Sequence, residues 1–242
     1  LPTYIAPKEP DEKTYKNLSN PRGFVYIFNN PFQNDPVNLR HGANCDSDNL
    51  KVIFENMGYR VHINSDLSKE ETYKKVDEIQ NEKELENVDS FIIVILSHGK
   101  DSMHFYASDM ELINLDDIRY KFTDGKCPQL RGKPKIFMCN FCRGNIKQDN
   151  LQSDGPPKEH GREAPRDMVT IHASIDGFQA MRDTIKGTIF IQSLCEILSK
   201  HAHNNEFRWI YRMLSNKMTE NLGTTPESQE YAFKDFYFNP TR

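Results

Sequence analysis

Phe91-Ile-Ile-Val-Ile-Leu96-Ser97-His98-Gly99 and Lys135-Ile-Phe-Met-Cys139-Asn140-Phe141-Cys142-Arg143-Gly144 are the stretches on which the reading of this chain turns. Each opens on an unbroken apolar run of strand length and closes on a reactive side chain with a glycine close behind. A strand that is apolar at every position is covered on both faces, as in a parallel sheet held between helices. In open α/β sheets ligands gather beyond the carboxyl ends of the strands. His98 and Cys142 would both stand there.

The flanking sequence has the same rhythm. Gly23-Phe-Val-Tyr-Ile-Phe28 reads as a buried strand ending in the turn signal Asn29-Asn30-Pro31. Leu50, Ile53, Phe54 and Met57 recur at helical spacing behind an Asp/Ser cap at Asp46, and Gly58 stops that helix. Tyr59–Ile63 reads as a short strand, and Ser68-Lys-Glu-Glu71 is a capping box opening a helix to about Gln80. A hairpin over Met103–Leu112 and a helix over Leu115–Phe122 lead to the cysteine strand. Gly144–Arg166 is polar and rich in Gly and Pro, the composition of a mobile surface segment. Beyond it, Met168–Ala173 reads as a strand, Thr188–Ala202 and Glu206–Asn221 as helices, and Lys234–Phe238 as a last strand. The alternation predicts an α/β fold with a mostly parallel sheet.

Composition narrows the function. The 242 residues carry 31 basic and 35 acidic side chains, a net charge of −4, which lacks the basic excess of an electrostatic nucleic-acid binder. Phe91–Leu96, the longest apolar run, is far short of the roughly 18–20 residues of a membrane span. No N-terminal stretch reads as a signal peptide, and a first residue Leu1 suggests either a trimmed chain or a processed product. Five cysteines without regular spacing argue against a disulfide framework and for a reducing compartment. The expectation is a cytoplasmic protein that binds neither nucleic acid nor membrane.

A thiol paired with an imidazole is suited to nucleophilic acyl transfer, because the His takes the thiol proton and later gives one to the leaving amine. The competing reading is a buried Cys and a hydrogen-bonded core His at two strand ends. Other motifs are weaker. Cys139-Asn-Phe-Cys142 is a C-x-x-C that straddles a strand end, with no second pair to complete a metal set. His201-Ala-His203 sits at i, i+2 on a helix, where the rings diverge. Cys45, Cys127 and Cys195 read as small buried hydrophobes. No metal and no cofactor is expected.

Ser97-His98-Gly99, with Cys142-Arg143-Gly144 44 residues after the His, resembles the caspase signature. The likeness runs from Pro21 to the C-terminus. It takes in Arg40-His-Gly before Asp46-Ser-Asp-Asn-Leu50, Gly132-Lys-Pro-Lys135, Arg182, Gly187 ahead of Phe190-Ile-Gln-Ser-Leu194, and Phe236-Tyr-Phe-Asn-Pro240. Phe141–Gly144, His201–His203 and Tyr237–Pro240 look most like the insect initiator members of that family. The resemblance implies a caspase-like three-layer sandwich with a six-stranded sheet and helices on both faces. Residues 1–20 are polar, contain three prolines and show no period, so they read as an N-terminal arm or linker; the resemblance implies a catalytic domain over 21–242. Within that domain it sets a large-subunit part at about 21–144, an intersubunit linker at about 145–166 and a small-subunit part at about 167–242.

It further implies a cysteine endopeptidase of apoptosis that cleaves after Asp, with Cys142 as nucleophile and His98 as general acid/base. The N–H groups of Gly99 and Cys142 would form the oxyanion hole, and a backbone carbonyl in the Val37-Asn38 stretch would orient the His. Arg40 and Arg182 would grip the acidic side chain, which a carboxylate leaving water requires of fixed cations. The family places Gln and Ala before the cysteine. Asn140 keeps the amide one methylene shorter, which predicts a pocket with room for Glu as well as Asp. Gln179-Ala180-Met181 replaces the aromatic residues that often line neighbouring pockets, and Met181 retains adaptable apolar surface. Asp154, before Gly155 in the linker, reads as a self-processing site. The resemblance also implies a zymogen that dimerises through its C-terminal strand, near Lys234–Phe238. An N-terminal recruitment domain is expected upstream, and an apoptosome-type adaptor and inhibitor-of-apoptosis proteins are the expected partners. Two rivals are a weak pseudo-caspase that regulates an active paralogue and a non-catalytic adaptor that titrates inhibitors.

Overall fold

In the computed structural model the described residues are 8–144, 163–177, 180, 182–222 and 224–240. In chain order the strands and helices are β1 (Gly23–Asn29), α1 (Ala43–Asn56), β2 (Arg60–Ser65), α2 (Lys69–Gln80), β3 (Ser90–Leu96), β4 (His104–Tyr106), β5 (Leu112–Asn114) and α3 (Leu115–Lys121). They continue with β6 (Lys135–Asn140), β7 (Met168–His172), β8 (Arg182–Asp183), β9 (Gly187–Thr188), α4 (Ile189–His201), α5 (Phe207–Leu222) and β10 (Glu227–Tyr231). One six-stranded sheet in the order β10-β7-β6-β3-β1-β2 organises the molecule. Its first five strands in the chain run parallel, and β10 pairs antiparallel with β7.

Strand side chains alternate between faces, so each strand feeds two cores. Val25, Ile27, Ile92, Val94, Ile136, Met138 and Ile171 pack with Leu50 and Phe54 of α1, Leu194 of α4 and Leu214 of α5. Phe24, Tyr26, Phe91, Ile93, Phe137 and Cys139 pack on the other face with Val76 and Ile79 of α2 and Ile118 of α3. Three layers result, with β1, β3 and β6 buried at every position.

Two expectations are corrected. Lys234–Phe238 is not a sheet strand: Phe236 and Phe238 are fully buried in the core under α1 and α5, and among the described residues its β-pairing is an isolated bridge, Thr14 to Asp235. The last strand is the polar Glu227–Tyr231, which sits at the sheet edge, where alternating apolar residues are not required. Helix α1 begins earlier than the Asp/Ser signal suggested. Gly42, in the left-handed region at φ 75°, is its N-cap, and Asp46 lies inside the first turn. The capping box at Ser68 is present in both halves, and Gly58 at φ 88° follows the end of α1.

Residues 8–20 lie along the C-terminal segment. Tyr15 donates its hydroxyl to Asp167 Oδ1 at 2.7 Å, and fully buried Asn17 donates to the carbonyls of Tyr237 and Phe238. Residues 145–162, most of the expected linker, lie outside the described residues.

Candidate active site

The parallel register sets Leu96 opposite Asn140, so the loops leaving β3 and β6 start level, and the Ser97 N–H reaches the Asn140 carbonyl at 3.3 Å. The β3 loop carries His98 and Gly99. The β6 loop carries Cys142, partly exposed between two anchored neighbours. Phe141 is 1% exposed and packs 5.6 Å from the Phe105 ring. Arg143 is 3% exposed, and its Nη1 donates to the Ser174 carbonyl at 3.0 Å and to Glu227 Oε2 of β10 at 2.6 Å. Burying both neighbours leaves the thiol as the group turned outward.

The two loops touch at Gly99. A Cβ built there would come 2.0 Å from the Cys142 carbonyl oxygen and 2.7 Å from the Phe141 ring, so only glycine fits. Gly99 also bridges Phe105, through the bonds Lys100 N–H to His104 O and Tyr106 N–H to His98 O. That pattern leaves the Gly99 N–H out of the bridge.

The loop after β1 closes over the imidazole. His98 Nε2 lies 2.7 Å from the Asn38 carbonyl, in the stretch where the resemblance implied an orienting carbonyl. A carbonyl only accepts, so Nε2 carries the proton and the Nδ1 lone pair is left as the base. Asp35 fixes the turn that presents this carbonyl, accepting the N–H groups of Val37 and Asn38 and the Asn38 side-chain amide at 2.6 Å. The Phe32 ring stands 5.0 Å from the imidazole. Burial holds the His98 pKa below its ordinary 6.5; the Asn38 bond opposes this, while the charges of Arg40 and Arg182 add to it.

Arg40 and Arg182 reach the site from opposite ends of the chain. Arg40 is 3% exposed, its Nη1 donating to the Asn30 carbonyl at 3.0 Å. Burial, then the charge of Arg182, brings its pKa down to about 10. Half-buried Arg182 stands on β8, paired across the β8–β9 hairpin with Thr188, and burial lowers its pKa too. A Cys142 thiolate would favour the charged form of both arginines, which sets the pair in the field of the thiol.

Other predicted residues stand as follows. Asn140 is buried, and its Nδ2 donates to Thr188 Oγ1 at 2.7 Å, while its Oδ1 has no partner among the described residues. Ala180 packs partly buried against the core of α1, α4 and α5. Gln179, Met181 and Asp154 lie outside the described residues. Cys139 is buried in the second core, where burial pushes its thiol up to about 12. Among the described residues no three His, Cys, Asp or Glu side chains gather as a metal set would.

Sequence reasoning missed two members of the surroundings. Thr188 caps α4, its Oγ1 accepting the Ile191 N–H. Asp46, fully buried, accepts the Thr188 N–H at 2.8 Å. Burial pushes the Asp46 pKa up to about 6, against the Thr188 bond and the charges of Arg40 and Arg182.

The profile of the family described as "Caspase domain" matches residues 22–237. Caspase-6 of Gallus gallus is 32% identical over 223 residues, covering 85% of this chain and 72% of that protein. Caspase-3 of Bos taurus is 30% identical over 213 residues, 86% of this chain and 76% of its own length. Caspase-1 of Spodoptera frugiperda is 32% identical over 192 residues, with coverages of 76% and 63%. The profile spans all six strands of the sheet and both loops that meet at Gly99. The chain therefore belongs to the caspase family of cysteine-type endopeptidases.

Proposed function

We propose that this chain is an initiator-type caspase that hydrolyses peptide bonds after Asp and also after Glu. The observation that carries the reading is that buried Arg40, held on the Asn30 carbonyl, and Arg182, paired on β8 with the Thr188 that Asn140 contacts, share one electrostatic field with Cys142 and His98. Two cations held together in a buried site suit an anion of the substrate, and the guanidinium fork grips a carboxylate at two points. The substrates are proteins with an acidic residue before the scissile bond.

In this mechanism the Cys142 thiol gives its proton to His98 Nδ1, while Nε2–H stays on the Asn38 carbonyl. The thiolate attacks the carbonyl carbon. Its oxygen becomes an oxyanion facing the N–H groups of Gly99 and Cys142, donors typically worth ~3–4 kcal/mol each in the transition state. His98 then protonates the leaving amine, and the same base activates the water that frees the acyl group from Cys142. The Asn140 amide is engaged with Thr188, not extended as a longer glutamine would be, which supports a pocket roomy enough for Glu.

Phe141–Gly144, His201–His203 and Tyr237–Pro240 support the initiator type, being similar to the insect initiator caspase Dronc. Activation follows from dimerisation through β10, the sheet's edge strand, whose Glu227 holds Arg143 next to Cys142. An adaptor of the apoptosome type, inhibitor-of-apoptosis proteins and a cytoplasmic setting complete the reading on family grounds.

The test is hydrolysis of peptides ending in Asp, Glu, Asn or Ala by wild type and Cys142→Ala, with and without concentrated citrate to promote association. Cysteine-dependent cleavage of the Asp and Glu peptides is expected. A preference of about a thousandfold for Asp over Glu would remove the wide pocket. No turnover by folded, associated protein would favour a regulatory pseudo-caspase.

A further inference from the structure

Behind the arginine pair stands a carboxylate with no part in the chemistry above. Asp46 is fully buried in the first turn of α1, six positions after Arg40. Its Oδ1 accepts the Thr188 N–H at 2.8 Å, and Thr188 is the residue paired with Arg182 across the β8–β9 hairpin. Asp46 is thus one hydrogen bond from the partner of Arg182. The fit is close: a Cβ on Gly187 would come 2.3 Å from Asp46 Oδ1, and one on Gly42 would come 2.9 Å from the Thr184 carbonyl. The other oxygen, Oδ2, is buried without a hydrogen-bond partner among the described residues.

A buried ionised carboxylate that uses only one of its oxygens costs the fold free energy. A neutral amide would accept the same Thr188 N–H at less cost. The charge itself therefore calls for a role, and the groups in its field are Arg40 and Arg182. We propose that Asp46 is a specificity-setting positioning residue: a built-in anion that anchors the β8–β9 hairpin and competes with the substrate carboxylate for Arg40 and Arg182. This rests on the reading of those arginines as the acid-binding pair.

The benefit of such competition lies in turnover. Hydrolysis after Asp leaves a product whose last residue carries two carboxylates, the side chain and the newly formed α-carboxylate. Two uncompensated arginines would hold that product, and tight ground-state binding does not raise kcat. Asp46 reduces the net charge of the pocket to that of one cation, enough to select an acidic residue and still release it.

The experiment compares wild type, Asp46→Asn and Asp46→Ala as full chains at pH 7.5. It measures kcat and KM on an Asp-ending peptide substrate, and Ki for acetylated product peptides ending in free Asp or Asn. Thermal stability is followed alongside. For Asp46→Asn, KM and the Ki of the Asp product should both fall about tenfold, the order given by one unit charge within ~10 Å at an effective dielectric of about 20. The Ki of the Asn product should stay within about twofold, and Tm should not drop. Asp46→Ala, which also removes the Thr188 acceptor, should show the same shift in Ki with a lower Tm. If wild type prefers the Asp product but Asp46→Asn leaves its Ki unchanged, the inference fails and the arginine pocket stands. Weaker binding of both products with a lower Tm would make Asp46 purely structural and also overturn it. A wild type that does not distinguish the two products would remove the pocket itself, and the inference with it.

Discussion

His98 illustrates how a residue's surroundings select its chemistry. Burial and two nearby arginines favour the neutral ring, and the Asn38 carbonyl fixes which nitrogen keeps the proton. A base whose folded pKa is depressed stays unprotonated down to pH values below its ordinary 6.5, and is lost only as the pH falls further. NMR titration of the imidazole in Cys142→Ala should therefore give a midpoint below 6.5. Adding Arg182→Gln should move it upward, because one of the lowering charges is gone. A midpoint above 6.5 in the first protein would contradict the described surroundings. The placing of His98 and Cys142 was legible in the sequence because each stands two residues beyond an apolar strand, at the carboxyl end where ligands gather in such sheets. Asp46 was not. A carboxylate ahead of a helical period reads as a cap, and only the left-handed Gly42 and the distant Thr188 N–H reveal that the helix starts earlier and the acid turns inward.

At the scale of elements, Thr188 joins the hairpin to α4. Its hydroxyl caps the helix and accepts from Asn140, and its N–H is held by Asp46. Loss of a Ser/Thr cap costs about 0.5–2 kcal/mol, and a buried donor left unpaired adds to that. Urea denaturation of Thr188→Ala should show a loss of about 2 kcal/mol, with Thr188→Ser close to wild type. A Thr188→Ala protein as stable as wild type would mean that these bonds add nothing to the stability of the junction. The helices and inner strands follow the period of their apolar residues, so their positions were readable. The edge was not readable, for a physical reason. Glu227–Tyr231 needs only one paired neighbour and little apolar surface, whereas the aromatic Lys234–Phe238 looks like a strand but spends Phe236 and Phe238 on the core.

The whole molecule is organised by one six-stranded sheet, and the chain passes through the linker between two adjacent strands of it. β6 precedes residues 145–162 and β7 follows them, and the two pair in parallel from Lys135–Met168 to Cys139–His172. Asp154 lies outside the described residues, so self-processing there is a proposal drawn from sequence. Cleavage after it should leave fragments 1–154 and 155–242 that co-elute under native conditions and separate only in denaturant. The joined strands, the shared cores and the bonds from Tyr15 and Asn17 hold them together. Intact mass spectrometry should find both fragments in wild type and an uncut chain in Cys142→Ala. Identical intact masses would refute self-processing. The three-layer order of the fold was readable from the alternation of apolar runs. The closure of the N-terminal arm on the C-terminal segment was not, because polar side chains bonding to distant carbonyls leave no periodic trace.

In the proposed function Cys142 is a nucleophile presented to a carboxylate-binding pair of arginines. The most direct measurement is covalent labelling with an electrophilic peptide ketone ending in Asp, read by peptide mapping, with the matching Asn peptide as control. One adduct per chain is expected, on Cys142, formed by the Asp reagent much faster than by the Asn reagent and weakened in Arg40→Gln and Arg182→Gln. Labelling that falls on Cys45 or Cys195 instead, or that ignores the charge of the last residue, would contradict it.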